Sequence, residues 1–169
     1  MNRRPWLLFV VLVWLQVLVF HRIHWLGIFN PMVYTIPLIW MPLGWNRALQ
    51  LLVGFGVGWW IDGSVQSGAV HAMASTLVVY LKHFWIRWTV SPVILQDEPD
   101  PDLREIEFRS LLTYAGGLIL IHHATLYALD ALRLDFFGTA LLKAGLNSIL
   151  VFGILWSLLQ WTSMSRPAR

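Results

Sequence analysis

The chain alternates between long apolar blocks and short polar stretches. A helix that crosses the roughly 30 Å hydrocarbon core of a bilayer needs an apolar run of about 20 residues. Six blocks can be interpreted as spans on this scale, and they cover residues 5–20, 31–44, 47–61, 69–90, 109–129 and 137–162. The pattern therefore predicts an all-α fold, a polytopic membrane helix bundle with six transmembrane helices, which forms a single integral membrane domain over residues 1–169.

The second block is the least regular because prolines interrupt it. Pro31, Pro37 and Pro42 each lack a backbone donor, and a proline inside a helix bends or ends it. A kinked segment, or one that enters the bilayer only partly between other helices, fits this pattern. The sequence leaves open whether residues 31–44 cross completely.

Composition supports the membrane assignment. Hydrophobic residues make up 57% of the chain and charged residues 12%, which is about half the charged fraction of a soluble domain. The net charge of +3 comes from scattered basic residues, so the basic face that nucleic-acid binding requires is absent. The chain has no cysteine, which excludes disulfides, thiolate catalysis and cysteine metal sites.

The basic residues predict an orientation, because cytoplasmic loops carry an excess of Lys and Arg. With six spans and both termini in the cytoplasm, nine basic residues lie inside and three lie outside. The inside set is Arg3, Arg4, Arg47, Lys82, Arg87, Arg104, Arg109, Arg166 and Arg169, and the outside set is Arg22, Arg133 and Lys143. Of these, Lys82, Arg87 and Lys143 are expected to reach the bilayer surface from near helix ends.

One strongly polar stretch, residues 96–108, separates the first three blocks from the last three. It is rich in proline and acidic residues, a composition typical of solvated linkers. A solvated cytoplasmic connector is the first interpretation. A docking strip for a cytoplasmic partner is the second.

A glycine-rich run in the third block leads into an acidic residue. Gly54 and Gly58 lie four positions apart, and small residues at this spacing leave a groove in which the backbone of another helix can lie. We therefore expect Gly54 and Gly58 to pack against a partner protein's transmembrane helix. Asp62 lies at the end of the span, where a charge must find water or a polar group. Capping or loop ordering is favoured for Asp62 over ion or proton transfer.

Several blocks carry a thin polar stripe at helical spacing, which places its members on one face, turned toward the bundle interior or a cavity. The stripes are His71, Ser75, Val78 and Lys82 in the fourth block, Thr113, Gly116, Leu120, His123, Tyr127 and Asp130 in the fifth, and Lys143, Asn147, Leu150, Ile154 and Ser157 in the sixth. Hydrogen bonds between such side chains help to hold membrane bundles together. The candidate loop-ordering or cavity-lining residues are Asp62, His71, His123, Asp130, Gln16 and Asn147.

No pattern in the chain indicates catalysis or metal binding. His122 and His123 are adjacent, so they project about 100° apart on a helix and do not easily share one ion. The H-E-x-x-H pattern of zinc sites does not occur. Ser64 and Ser67 lie near Asp62, but no nucleophile elbow surrounds them. We therefore expect a non-enzymatic protein with no catalytic residue, no metal and no cofactor.

Motifs spread along the chain carry a family resemblance. The main motif covers residues 54–64 and 68–72. Further motifs are residues 16–24, residues 30–34, Met41-Pro42 with Arg47, and residues 121–123. In their order and spacing over about residues 10–160, they resemble the family of the rod shape-determining protein MreD, in its Bacteroidetes-type branch. Trp59 and Trp60 depart from the family pattern, which more often has smaller aliphatic residues there.

The resemblance implies a multi-pass scaffold of the bacterial inner membrane that belongs to the elongation, or rod, complex and supports peptidoglycan synthesis and cell shape. It implies MreC as the direct partner, with RodA, its class B penicillin-binding protein and MreB as further partners, in contact with membrane lipids. It also implies a fold like the substrate-binding membrane subunits of energy-coupling-factor transporters. The alternative function is a membrane-embedded small-molecule or lipid-binding subunit of transporter type, whose polar stripes would line a cavity.

Overall fold

The computed structural model describes residues 4–22, 28–97, 101–131 and 137–164, and within these ranges the fold is all-helical. The helices are α1 (Arg4–Leu18), α2 (Thr35–Trp40), α3 (Arg47–Val65), α4 (Val70–Thr89), α5 (Pro92–Asp97), α6 (Phe108–Leu111), α7 (Gly117–Ala131) and α8 (Phe137–Met164). A 3-10 turn, Phe20–Arg22, follows α1. A π-helical turn, Leu112–Gly116, joins α6 and α7 into one continuous helix.

Three helices are long and apolar enough to cross a membrane. They are Arg47–Val65, Phe108–Ala131 and Gly138–Ser163, and α1 adds a shorter apolar helix, Leu7–Leu18. Large apolar side chains such as Leu52, Trp59 and Ile149 are exposed on the outside of these helices. Extended apolar surface of this kind suits contact with lipid. These features indicate a membrane protein, as the sequence predicts.

Five of the six apolar blocks are helical close to their predicted limits, whereas the second block is helical only at Thr35–Trp40. Pro37 is tolerated there because backbone donors in the first turn of a helix have no helical acceptor. Pro42 disfavours a helical conformation for Met41, which is extended and ends α2. The six residues of α2 rise only about 9 Å, so this helix by itself is much shorter than a bilayer core.

Residues 28–41, which we call the inner segment, are enclosed by the longer helices. Every side chain from residue 31 to residue 39 is buried. α1, α4 and α7 pack against α2, and α8 reaches the beginning of the inner segment through Asn147. Irregular backbone at membrane depth is stable only where protein surrounds it. The inner segment therefore forms the centre of the bundle.

The helices run between two ends of the bundle, which we name the Arg47 end and the Asp62 end after the two termini of α3. From α3 onward, each long helix runs antiparallel to the one before it, and α8 ends near the start of α6. The contacts that fix these directions are Gln50–His83, Trp85–Thr113 and Phe108–Trp156. The inner segment passes from Asn30 near the Asp62 end to Met41 near the Arg47 end. It therefore returns the chain to the end at which α3 begins.

The acidic stretch 96–108 differs from a solvated linker in its described part. Leu103 and Ile106 are buried in the hydrophobic core. The guanidinium of Arg104 donates hydrogen bonds from two of its nitrogens to the carboxylate of Asp102. These hydrogen bonds raise the pKa of the guanidinium. The guanidinium carbon also lies 6.0 Å from the ring centroid of Trp40. Residues 101–107 are thus an anchored turn, because burial of the two aliphatic side chains favours this conformation. Residues 98–100 lie outside the described residues, as do Arg3, Arg133, Arg166 and Arg169 of the predicted orientation.

The predicted polar stripes are correct for α4 and only partly correct for the last two spans. His71, Ser75, Val78 and Lys82 are all buried. In the fifth block Thr113, Leu120 and Asp130 are exposed, while His123 and Tyr127 are buried. The π turn at Leu112–Gly116 shifts Thr113 relative to the residues of α7. In α8, Asn147 is buried, but Leu150 and Ser157 are exposed. The hydroxyl of Ser157 donates to its own helix, at the carbonyl oxygen of Gly153, so it needs no interior partner.

Two glycines allow α3 and α4 to pack closely. A Cβ at Gly58 would lie 2.5 Å from both Ala72 Cα and the carbonyl oxygen of His71, and one at Gly54 would lie 2.8 Å from Val79 Cγ2. The groove predicted from their spacing exists, but the chain's own α4 fills it. The assignment of Gly54 and Gly58 to a partner's helix is corrected accordingly, because spacing reveals a groove without revealing which helix occupies it.

Substitution of Gly58 by alanine should destabilise the protein by roughly 3 kcal/mol, the upper end of the usual cost of overpacking, because backbone atoms of α4 stand in the way. Gly56 is the matched control, since nothing lies within 4 Å of a Cβ placed there. Unfolding by SDS in mixed micelles, followed by circular dichroism, measures both variants. Equal stability of Gly58→Ala and Gly56→Ala would contradict the close packing of α3 and α4.

Candidate functional site

The carboxylate of Asp62 caps α4 from the neighbouring helix. The residue before α4 is Ala69, which is in the left-handed conformation and has no side chain that could cap. Asp62 Oδ1 accepts hydrogen bonds from the backbone N–H of His71 at 3.0 Å and from Ser67 Oγ at 2.5 Å, and Oδ2 accepts one from Ala72 N–H at 2.8 Å. The negative charge thus lies at the positive end of the α4 dipole. This is the loop-ordering arrangement expected for Asp62.

A buried hydrogen-bonded triad lies at the centre of the bundle. The hydroxyl of Tyr34 is 2.9 Å from His71 Nδ1 and 2.8 Å from His122 Nε2. All three side chains are buried, and they come from the inner segment, α4 and α7. His71 belongs to both sets of contacts, because its backbone N–H donates to Asp62 and its side chain contacts Tyr34. The cap of α4 is thereby connected to the triad.

The hydrogen bonds around the triad assign its proton positions. Thr35 Oγ1 donates to the carbonyl oxygen of Met32 at 2.7 Å, so it can only accept from His122 Nδ1, 3.4 Å away. With a neutral imidazole, His122 Nε2 is then unprotonated and accepts from the hydroxyl of Tyr34. The oxygen of Tyr34 can in turn accept from His71 Nδ1. In this arrangement each nitrogen that faces the triad has a partner.

Three further predicted residues bind the first part of the inner segment. His123 accepts a hydrogen bond from Met32 N–H through Nε2, at 3.4 Å, and its Nδ1 donates to the carbonyl oxygen of Ile119. Gln16 of α1 donates to the sulfur of Met32 at 3.5 Å. Asn147 of α8 accepts from Asn30 N–H at 2.7 Å and donates to the carbonyl oxygen of Ile28 at 2.9 Å. All three side chains are fully buried, so these contacts lie in the interior.

Lys82 and Gln50 hold the other end of the inner segment and the loop after it. Lys82 Nζ donates to the carbonyl oxygens of Met41 at 2.8 Å and Leu38 at 3.4 Å, and the residue is fully buried. Gln50 Nε2 donates to the carbonyl oxygens of Leu43 and Trp45. The expectation that Lys82 extends to the bilayer surface is wrong, because the free carbonyls at the end of α2 offer acceptors inside the protein.

The predicted site residues therefore share one neighbour, the inner segment, with one exception. Asp130 is exposed in the last turn of α7 and takes no part in the buried cluster, so the cavity-lining role is corrected for this residue. A role in ordering the loop that follows stays a prediction, since residues 132–136 lie outside the described residues.

Sequence reasoning missed Tyr34, Thr35, Gln50 and the contribution of His122. Tyr34 and Thr35 lie in a proline-rich block without helical periodicity, so no stripe singles them out. The sequence presents His122 only as a candidate metal ligand beside His123. The sequence did contain one signal for a buried irregular segment, namely a hydrogen-bonding residue in several of the surrounding spans. Such a segment needs hydrogen-bond partners from its neighbours.

The buried part of this arrangement can bind backbone and transfer protons within the triad. Among the described residues, no group of three or more His, Asp or Glu side chains is placed to hold a metal ion. The absence of metal and cofactor stays a prediction.

Comparisons of the chain with protein families, with curated proteins and with solved structures find no match. The likeness to the MreD family therefore rests on the sequence motifs. The geometry described above stands independently of that likeness.

Removal of the carboxylate in Asp62→Ala should destabilise the protein by roughly 3 kcal/mol, because the N–H groups of His71 and Ala72 are left buried without an acceptor. Asp62→Asn should lose less, since one amide oxygen remains. Asp130→Ala is the matched control at an exposed acid and should change stability by less than about 0.5 kcal/mol. Thermal unfolding in detergent measures all three, and a neutral effect of Asp62→Ala would contradict the capping role.

Tyr34→Phe should lower the free energy of unfolding by about 2 kcal/mol, because it removes the buried hydroxyl that is hydrogen-bonded to His71 Nδ1 and His122 Nε2. Tyr80→Phe removes the same hydroxyl from a side chain that is 54% exposed and should be nearly neutral. SDS unfolding of the two variants tests the triad. If both substitutions cost the same, the hydroxyl of Tyr34 has no special role.

Proposed function

We propose that the chain is a non-enzymatic membrane scaffold of the MreD type, which binds MreC in the bacterial elongation complex and supports peptidoglycan synthesis and cell shape. One observation carries the proposal. The buried polar side chains of α1, α4, α7 and α8 hydrogen-bond to the chain's own inner segment. The interior then serves as a frame, and interaction with other proteins falls to the apolar outer faces of the helices.

The motif that resembles the family has a structural explanation at each of its main positions. Gly54 and Gly58 admit α4, Asp62 caps it, and His71 joins the central triad. A scaffold family would share residues with such roles, because these residues hold the helices in position and take no part in a reaction. This supports the proposed kinship without depending on any catalytic residue.

The proposal includes six membrane crossings in the bacterial inner membrane. The inner segment, which contains α2, is the second crossing. The inner segment leads back toward the Arg47 end, which favours an even number of crossings and both termini on one side. Among the described basic residues, six lie toward the Arg47 end and two toward the Asp62 end, which favours a cytoplasmic Arg47 end. The six are Arg4, Arg47, Lys82, Arg87, Arg104 and Arg109, and the two are Arg22 and Lys143. A fold like the substrate-binding subunits of energy-coupling-factor transporters is part of the same proposal, as are RodA, its penicillin-binding protein and MreB as more distant partners.

The outward face of α3 is the proposed contact for the partner's helix, since α4 fills the opposite groove. Leu52, Phe55 and Trp59 are exposed there, and Gly56 has open space where a Cβ would lie. A glycine between large apolar side chains lets a second helix backbone approach closely. This face can therefore accept a single transmembrane helix such as that of MreC.

The alternative is a small-molecule or lipid-binding subunit of transporter type, and one observation favours it. The buried atoms Gln16 Oε1 and Asn30 Oδ1 have no hydrogen-bond partner among the described residues, although buried polar atoms usually have one. A bound molecule with donor groups would satisfy both. Native mass spectrometry would then show a constant added mass that disappears in Gln16→Leu.

Gly56→Leu should abolish co-purification of MreC, because the larger side chain blocks close approach of a helix. Gly153→Leu is the matched control, since Gly153 of α8 is also exposed and also has nothing within 4 Å of its Cβ position. Tagged protein is expressed with MreC in a bacterial membrane and isolated in mild detergent. Capture of MreC by Gly56→Leu at the wild-type level would exclude this face, and failure of the wild-type chain to capture MreC would overturn the scaffold proposal.

A further inference from the structure

A cavity of about 390 Å³ opens at the Arg47 end, between the start of α3, the end of α4 and α5. Its volume falls within the range of small-molecule sites. The polar side chains that line it are Arg47, His83 and Arg87, and its walls are apolar, with Leu43, Ile86 and Leu95 among them. None of its lining residues belongs to the buried triad around Tyr34.

The charge of this cavity is positive and is not neutralised by its lining. No Asp or Glu is among the described residues that form its walls. The guanidinium carbon of Arg47 lies 5.8 Å from the ring centroid of Phe84, so an aromatic ring supports this side chain beside the cavity. Two arginine side chains that line one concave space suit phosphate oxygens, because a guanidinium can donate two parallel hydrogen bonds to such a group. The cavity therefore suits an anion with several oxygen atoms.

The rim of the cavity is held in place before any ligand arrives. Gln50 is fully buried and ties the carbonyl oxygens of Leu43 and Trp45 to α3. Asn46 caps α3 through a hydrogen bond from Ala48 N–H at 2.8 Å. A site whose walls are already ordered loses little entropy on binding. The positive end of the α3 dipole also points toward the Arg47 end, which adds to the attraction for an anion.

We propose that this cavity binds the phosphate headgroup of an anionic phospholipid. Free inorganic phosphate has the same oxygen chemistry, but it would make no use of the apolar walls. A phospholipid places its phosphate against the arginines and the start of its acyl chains against Leu43, Ile86 and Leu95. The exposed apolar faces of α3 and α4 continue this surface into the lipid. The proposal is independent of the scaffold function, because it requires only that the protein resides in a membrane.

The test compares two lipids with identical acyl chains, phosphatidylglycerol and phosphatidylcholine, added to the full chain in detergent and counted by native mass spectrometry. The wild-type chain should retain phosphatidylglycerol preferentially. The double variant Arg47→Gln/Arg87→Gln should bind it about tenfold more weakly, and Arg47→Lys/Arg87→Lys should fall between the two because lysine keeps the charge but not the fork of donors. Unchanged circular dichroism and gel-filtration elution establish that the variants are folded.

Arg109→Gln is the matched control, because Arg109 is exposed at the same end of the bundle and lies outside the cavity lining. It should change retention of phosphatidylglycerol by less than about twofold. An equal loss in Arg109→Gln would mean general attraction to a basic surface and would overturn the proposal. Full wild-type retention in the double glutamine variant would do the same. Displacement of the lipid by millimolar inorganic phosphate would assign the cavity to free phosphate and would also overturn it.

Discussion

An irregular stretch of backbone inside an apolar bundle must find its hydrogen bonds within the protein, because neither water nor lipid can supply them. The inner segment imposes this constraint on the structure described here. α1, α4, α7 and α8 each direct a polar side chain at it, and these side chains bind backbone atoms or the side chains of Met32, Tyr34 and Thr35. Their scattered positions in the sequence have a common explanation, since each of these side chains faces a different part of the inner segment. Even the buried charge of Lys82 follows, because the end of α2 presents carbonyl groups that a cation can satisfy.

The close packing of α3 and α4 determines where several of these groups lie. Gly58 brings the backbone of α4 into contact with α3, and Asp62 fixes the first turn of α4 from the same side. Both contacts fix the position of α4 along the axis of the bundle. They therefore also fix the positions of His71 and Lys82, which α4 carries. Small errors in that position would break hydrogen bonds at both ends of the inner segment. The glycines and the acid are therefore connected to the central triad through a single rigid helix.

The all-helical fold and five of its helices follow from apolar periodicity, because a bilayer demands long uninterrupted apolar runs. The prolines of residues 31–44 correctly indicate an interrupted block, and the polar face of α4 is predictable from spacing alone. Other features depend on tertiary contacts that spacing does not contain. The π turn before Gly117 rotates the fifth block, and Trp85 donates to the carbonyl oxygen of Thr113 there. Lys82 and Gly58 have local sequences that fit either a surface or a buried role, and only the neighbouring helix decides between them.

The sequence separation of these contacts has a consequence for how the protein is made. The inner segment is synthesised early, yet Asn30 meets its partner Asn147 only 117 residues later, and Tyr34 meets His122 only 88 residues later. A ribosome-bound chain that has reached α3 has none of these donors and acceptors available. Residues 28–41 therefore cannot settle at membrane depth as an independent unit during translation. Their final placement is a late event in biogenesis, completed when α8 closes against a segment that left the ribosome well before it.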